Sequence, residues 1–244
     1  MSAILVDDLD AAIEEYKSRG YRLDMIFPAD NPREAGLSCG GETLALSTGF
    51  SRPSPKQLPP KGGTPSAWIK GRAGMEYCDL IPGRLGGKVI ASHIRLAEAG
   101  DVPDYVHYHK IDFQVIYCMH GRIKVVYEDQ GKPFWLERGD LILQPPEIRH
   151  RVLECTAGAE VIEISSPAEH ETWVDHDLEL PNQTIDHERL FGGRRFYRHV
   201  HGSSDARDDL EDRLLTLADM LFSAQTGKEV HAIVTTFSQS LCQT

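Results

Sequence analysis

Two histidines one residue apart, His107 and His109, and a third at His150 are the residues of this chain best suited to hold a metal ion. If 107–109 is extended, side chains two apart leave the same face of the strand, so both imidazoles project together. Neutral imidazole is a borderline ligand that suits Fe, Mn, Ni, Zn or Cu. Three imidazoles on a rigid scaffold hold one face of an ion and leave positions open. That openness separates a catalytic site from a closed structural one. Five residues beyond His109 stands Gln114. Its amide carries no charge, so one bound divalent ion keeps its full dipositive charge. An amide also cannot act as a general base. Such a site favours anionic chelating compounds: enolates, diketonates and carboxylates.

These residues need a scaffold, and residues 67–178 supply one. Strand-like runs recur every 8–12 residues: GKVIASHIRL, DFQVIYCMHG, RIKVVYED, GDLILQPP, RVLECT and AEVIEISS. Turn residues separate them and no strong helical period appears, which predicts an antiparallel sandwich or barrel. Residues 1–50 read differently. An apolar run at 3–6 precedes a helix that Asp8 or Asp10 can cap, with Leu9, Ala12, Ile13 and Tyr16 at helical spacing and Gly20 at its end. A strand over 21–27 and a hairpin around Gly40-Gly41 follow. Residues 51–66 hold five prolines and two glycines and form a linker. The extension 179–244 carries an amphipathic helix over 205–223, with Leu210, Leu214, Leu217 and Leu221 on one face, and a strand over 229–237.

The segments around the three histidines resemble the two motifs of the cupin superfamily. The first runs Gly, five residues, His-x-His, three or four residues, Glu, six residues, Gly. His107, His109 and Gly121 match in register; Gln114 stands where Glu is usual, so the resemblance implies it as the fourth ligand or as a group that hydrogen-bonds a ligating histidine, and Val102 replaces the leading glycine. The second runs Gly, five residues, Pro-x-Gly, two residues, His, three residues, Asn. Gly139, Pro145 and His150 match, while Glu147 replaces the second glycine and Glu154 the asparagine. The two motifs are separated by 17 residues, and the resemblance covers about residues 75–170. It implies a mainly β fold with a jelly-roll barrel, a metal at the histidines, and an enzyme. Residues 3–48 resemble half of a glyoxalase-type (vicinal oxygen chelate) domain, a βαβββ module. One such module leaves an open sheet edge. It therefore calls for a partner: a second copy, making a homodimer, or the C-terminal helix and strand.

Composition sets outer limits. The chain has 37 acidic and 26 basic residues, a net charge of -11, which disfavours nucleic acid and anionic membranes as partners. The five cysteines form no CxxC pair, which argues against a zinc ribbon or a disulfide framework and for reduced thiols in a cytoplasm. The first residues carry acids where a signal peptide needs bases, and no stretch reaches the ~20 apolar residues that span a bilayer.

Other residues carry two readings. His93 and Arg95 line the pocket or form a solvated strand face; Tyr105 and Tyr117 line the pocket or fill the core. His120 is expected in an exposed turn. The acid- and histidine-rich run 168–177 is expected to be solvated, and the basic run 192–201 to be a partner-facing strand. The leading expectation is a mononuclear non-haem iron dioxygenase of a small oxygenated compound. A non-redox metal isomerase, lyase or cyclase and a non-catalytic small-molecule-binding cupin are the alternatives, with Mn, Ni, Zn or Cu in place of iron.

Overall fold

The computed structural model describes residues 3–49, 68–81 and 83–201. The linker over 51–66 and the helix and strand expected beyond 205 lie outside the described residues.

The N-terminal module starts with β1 (Ile4–Leu5) and α1 (Leu9–Ser18). Asp8 starts the helix, its carboxylate accepting from Ala11 N at 3.0 Å. This satisfies one of the first-turn amides that a helix leaves without a partner. Leu9, Ala12 and Ile13 turn inward, where they meet Ile26, Ala35, Leu37 and Leu46. Those residues belong to β2 (Arg22–Phe27), β3 (Glu34–Cys39) and β4 (Glu42–Ser47), an antiparallel meander, with β1 parallel to β4.

The remaining strands are β5 (Ile69–Lys70), β6 (Glu76–Asp79), β7 (Ile90–Leu96), β8 (Gly100–Asp101), β9 (His107–His109), β10 (Phe113–His120), β11 (Arg122–Tyr127), β12 (Phe134–Glu137), β13 (Leu141–Gln144), β14 (His150–Cys155), β15 (Ala159–Ser166), β16 (Thr172–Val174) and β17 (Tyr197–His199). They form two sheets. One has the order β1-β4-β3-β2-β16-β9-β14-β11-β12, with β8 also on β14; the other has the order β17-β13-β10-β15-β7-β6-β5. The fold is mainly β, as expected. The two sheets are not joined into one hydrogen-bonded ring, so the barrel is a two-sheet jelly roll. Its core lies between them and includes Ile94, Leu96, Cys118, Ile123, Val125, Tyr127, Leu136, Ile142 and Val161.

Strand alternation decides which residues reach that core. On β10, Cys118 is buried in the core with Ile116 packed against it, and Gln114 shares their phase. Phe113 and Val115 fall on the other face, in a second apolar layer with Ala91, Leu141, Ile162 and Ile164. That layer is covered in part by Leu80, Ile81 and Leu85, so β10 is apolar on both sides and reads as a continuous hydrophobic run.

The open edge of the N-terminal module is filled by β16, which pairs with β2 on one side and β9 on the other. The partner strand therefore comes from the jelly roll itself. Arg33–Glu169 at 2.8 Å, Arg84–Asp30 at 2.6 Å and Arg84–Asp79 at 2.8 Å tie the same junction together. The run 168–177 was expected to be solvated. Instead His170 and Thr172 are buried, because β16 is an interior strand of the longer sheet.

Candidate metal centre

His107 and His109 leave the same face of β9, and His150, at the start of β14, is the cross-strand partner of His107. One ring nitrogen from each of the three lies within 4.8 Å of the others. The ring centroids are 4.1 Å apart for His107 and His150, and 5.1 Å for each pairing with His109. All three are buried.

The hydrogen bonds behind the rings fix their protonation. His107 Nδ1 donates to the carbonyl of Tyr105 at 2.8 Å, and His150 Nδ1 to the carbonyl of Ile148 at 3.0 Å. A carbonyl only accepts, so Nδ1 carries a proton, and in the neutral ring the lone pair is then on Nε2. His109 Nδ1 meets Thr172 Oγ1 at 2.8 Å, and Thr172 is paired with His109 across β16 and β9. Asp104, buried, places an oxygen 3.7 Å from His107 Nδ1 and accepts from Val152 N at 2.9 Å. Tyr127 stacks on His150 at 5.3 Å. Three imidazoles oriented through Nδ1 are what a metal ligand set needs. Buried and convergent, they fit a divalent ion.

The turns that the motif glycines make complete the picture. Gly121, between β10 and β11, has φ +64°, and a Cβ there would stand 2.6 Å from Thr156 Oγ1 and 3.1 Å from the backbone of Ala159. Gly139, before β13, has φ +91°. Six spaced motif positions thus fall on the strands and turns of a two-sheet jelly roll, with all three histidines at one point.

The chain has the two-sheet jelly-roll fold and the convergent histidines of the cupin motifs that it resembles.

No family model and no curated protein matches the chain. Among solved structures, an RmlC-like cupin from Shewanella frigidimarina is 25% identical, with 42% of this chain and 85% of that chain aligned at a TM-score of 0.36. KdgF from a Halomonas species is 19% identical over 41% of this chain and 86% of its own, at 0.34. Oxalate decarboxylase from Bacillus subtilis is 18% identical over 42% of this chain, at 0.34, and the chain spans only 27% of that protein's length.

Inside the jelly roll, a cavity of about 50 Å³ is lined by His109, His150, Gln114, Tyr127 and Glu163 among apolar side chains such as Met75, Ile116, Leu136 and Val152. Gln114 is fully buried, and its Oε1 accepts from Gln144 Nε2 at 2.6 Å. Its oxygen, the atom expected on the ion, is therefore engaged by a neighbouring amide. His93 and Arg95 do not reach the cavity. They share the phase of Ala91 on β7, opposite Ile94 and Leu96, and pair with Glu160 at 2.9 Å and Glu76 at 2.6 Å against Trp68. Tyr117 packs on the second apolar layer, where burial raises its phenol pKa. Tyr105 supplies its carbonyl to His107, its ring 5.9 Å away. His120 is exposed, as expected. The basic run 192–201 supplies β17, which pairs with β13.

Sequence reasoning missed Thr172, Gln144, Tyr127 and Glu163. It also missed His170, whose ring lies 5.4 Å from that of His109. Burial lowers the pKa of His170, although its Nδ1 bond to Pro167 O at 3.0 Å opposes this. Among the described residues, Cys39, Cys78, Cys118 and Cys155 form no disulfide, and burial pushes the Cys118 thiol up to about 12. No helix among the described residues is long and apolar enough to cross a membrane.

Proposed function

We propose that this metal-binding cupin is a mononuclear non-haem iron dioxygenase acting on a small enolic, phenolic or carboxylate compound. The observation that carries the reading is the ligand set: three neutral imidazoles, each tied through Nδ1 to an oxygen, with no carboxylate in the cluster. A divalent ion held there supplies Lewis acidity and, if it is iron, a redox partner for dioxygen. The chain's own groups do the rest. The Tyr105 and Ile148 carbonyls and the Thr172 hydroxyl orient the imidazoles. The apolar walls exclude bulk water, which strengthens every charge interaction inside. A cavity of about 50 Å³ admits only a few heavy atoms, in keeping with dioxygen or the chelating end of a small substrate. The test is oxygen uptake by Fe(II)-loaded protein across a panel of enolic, phenolic and thiol compounds. Substrate-dependent uptake is expected, and a flat electrode trace with every compound overturns the proposal.

One observation favours a second reading. Glu163 lines the cavity, a carboxylate where the Gln114 replacement had removed the expected base. A metal site beside a carboxylate suits proton transfer in an isomerase, lyase or cyclase. Native zinc or nickel, together with loss of turnover in Glu163→Gln, would favour that reading over the first.

A further inference from the structure

Gln114, in the cavity wall, and Ser165, its cross-strand partner on β15, each carry hydrogen-bonding capacity that the fold leaves unused. Gln114 Nε2 and Ser165 Oγ are both buried and without a hydrogen-bond partner among the described residues. Both residues are 0% exposed, and they face each other across β10 and β15 on the interior side. Buried polar groups are nearly always satisfied, so two neighbouring exceptions mark a place where a ligand is accommodated.

A relay sets which way Gln114 points. Tyr127 donates its hydroxyl to Gln144 Oε1 at 3.0 Å, and Gln144 Nε2 donates to Gln114 Oε1 at 2.6 Å. With its oxygen held by Gln144, Gln114 is left with an N–H donor in the cavity it shares with His109 and His150. Glu163 lies two residue pairs further along the strands, opposite Ile116.

We propose that Gln114 and Ser165 form a donor pair that hydrogen-bonds a small anion, of the size of azide or a carboxylate group, bound at the three-histidine centre, and that Gln114 is not a ligand of the ion. This rests on the reading of the three histidines as a metal site. A dipositive ion with neutral ligands attracts an anion, and a charged acceptor gains most from donors placed in advance in a dry site.

The experiment loads the full chain with Co(II), measures cobalt affinity by chelator competition, and titrates sodium azide while following the visible absorption bands. Gln114→Ala and Ser165→Ala should each hold cobalt within about twofold of the parent and weaken azide binding about tenfold or more, the effect of losing a hydrogen bond to a charged group. Unchanged azide affinity in Gln114→Ala overturns the proposal. So does a cobalt affinity that falls more than tenfold in that variant, because Gln114 would then be a ligand. If Gln114→Ala fails to fold, Ser165→Ala decides by the same azide reading. A parent chain that takes up no cobalt overturns the metal reading and this proposal with it, whereas cobalt uptake with unaltered azide binding sinks this proposal alone.

Discussion

Replacing Thr172 by Val tests how the site is oriented. Valine keeps the shape of threonine and removes the oxygen that meets His109 Nδ1 at 2.8 Å. Thr172 is 1% exposed and His109 4%, so water does not replace the lost acceptor. A buried N–H left without a partner costs about 1–3 kcal/mol. The imidazole escapes that penalty by moving its proton to Nε2, which spoils it as a ligand. Loss of such an outer partner lowers metal affinity about 10–100-fold, equivalent to about 1.4–2.8 kcal/mol. Chelator competition with zinc or cobalt on Thr172→Val is expected to show that drop. Thr172→Ser, which keeps the hydroxyl and removes a methyl worth about 1 kcal/mol of burial, should lose stability but hold metal near the parent affinity. Equal metal affinity in Thr172→Val and the parent would refute the argument that this hydroxyl orients His109.

Three further outcomes are expected. Gly121→Ala sets a Cβ 2.6 Å from Thr156 Oγ1 at φ +64°, and should lower unfolding free energy by about 2–3 kcal/mol in urea titration. Glu147 stands at φ +59°, where the motif has glycine; its exposed ion pair with Lys110 adds little. Glu147→Val should therefore cost about 1–2 kcal/mol and Glu147→Gly almost nothing, read as shifts in thermal midpoint. Burial alone would raise the pKa of Asp175, but bonds from Leu178 N, Arg149 Nε and Asp177 N outweigh it and hold the carboxyl below its usual 3.8. A depressed carboxyl stabilises the fold above the unfolded pKa and stops doing so as pH falls through the folded one. The stability of Asp175→Asn should thus fall less steeply than the parent's below about pH 4. Parallel acid limbs in the two proteins would remove Asp175 from the account.

The convergence of the three histidines was legible because its information is local. His107 and His109 need only an extended segment to share a face, and Gly121 and Gly139 mark the turns that bring His150 opposite. The groups around them were not, because their roles depend on register. A one-residue slip moves a whole strand to its other face, and nothing in the sequence fixes that phase. His93 and Arg95 fell on the outer side of β7 for this reason, although the strand itself was plain. Gln144 and Tyr127 become a relay only because β10 pairs with β13 and β11 with β14. The run 168–177 misled through composition. Its charged residues read as solvated, yet β16 is held between β2 and β9, and Thr172 lies behind a ligand. Gln114 was read from its motif position as a ligand or as a group behind one; that its oxygen accepts from Gln144 depends on the register of β10 with β13.

The central claim is that His107, His109 and His150 together bind one divalent ion. Its most direct test is elemental analysis of protein purified without chelators, beside His107→Ala and His150→Ala. The account predicts about one equivalent of a divalent transition metal in the parent and almost none in either variant. Full occupancy surviving either substitution would contradict it, as would a folded parent that cannot be loaded with any such metal.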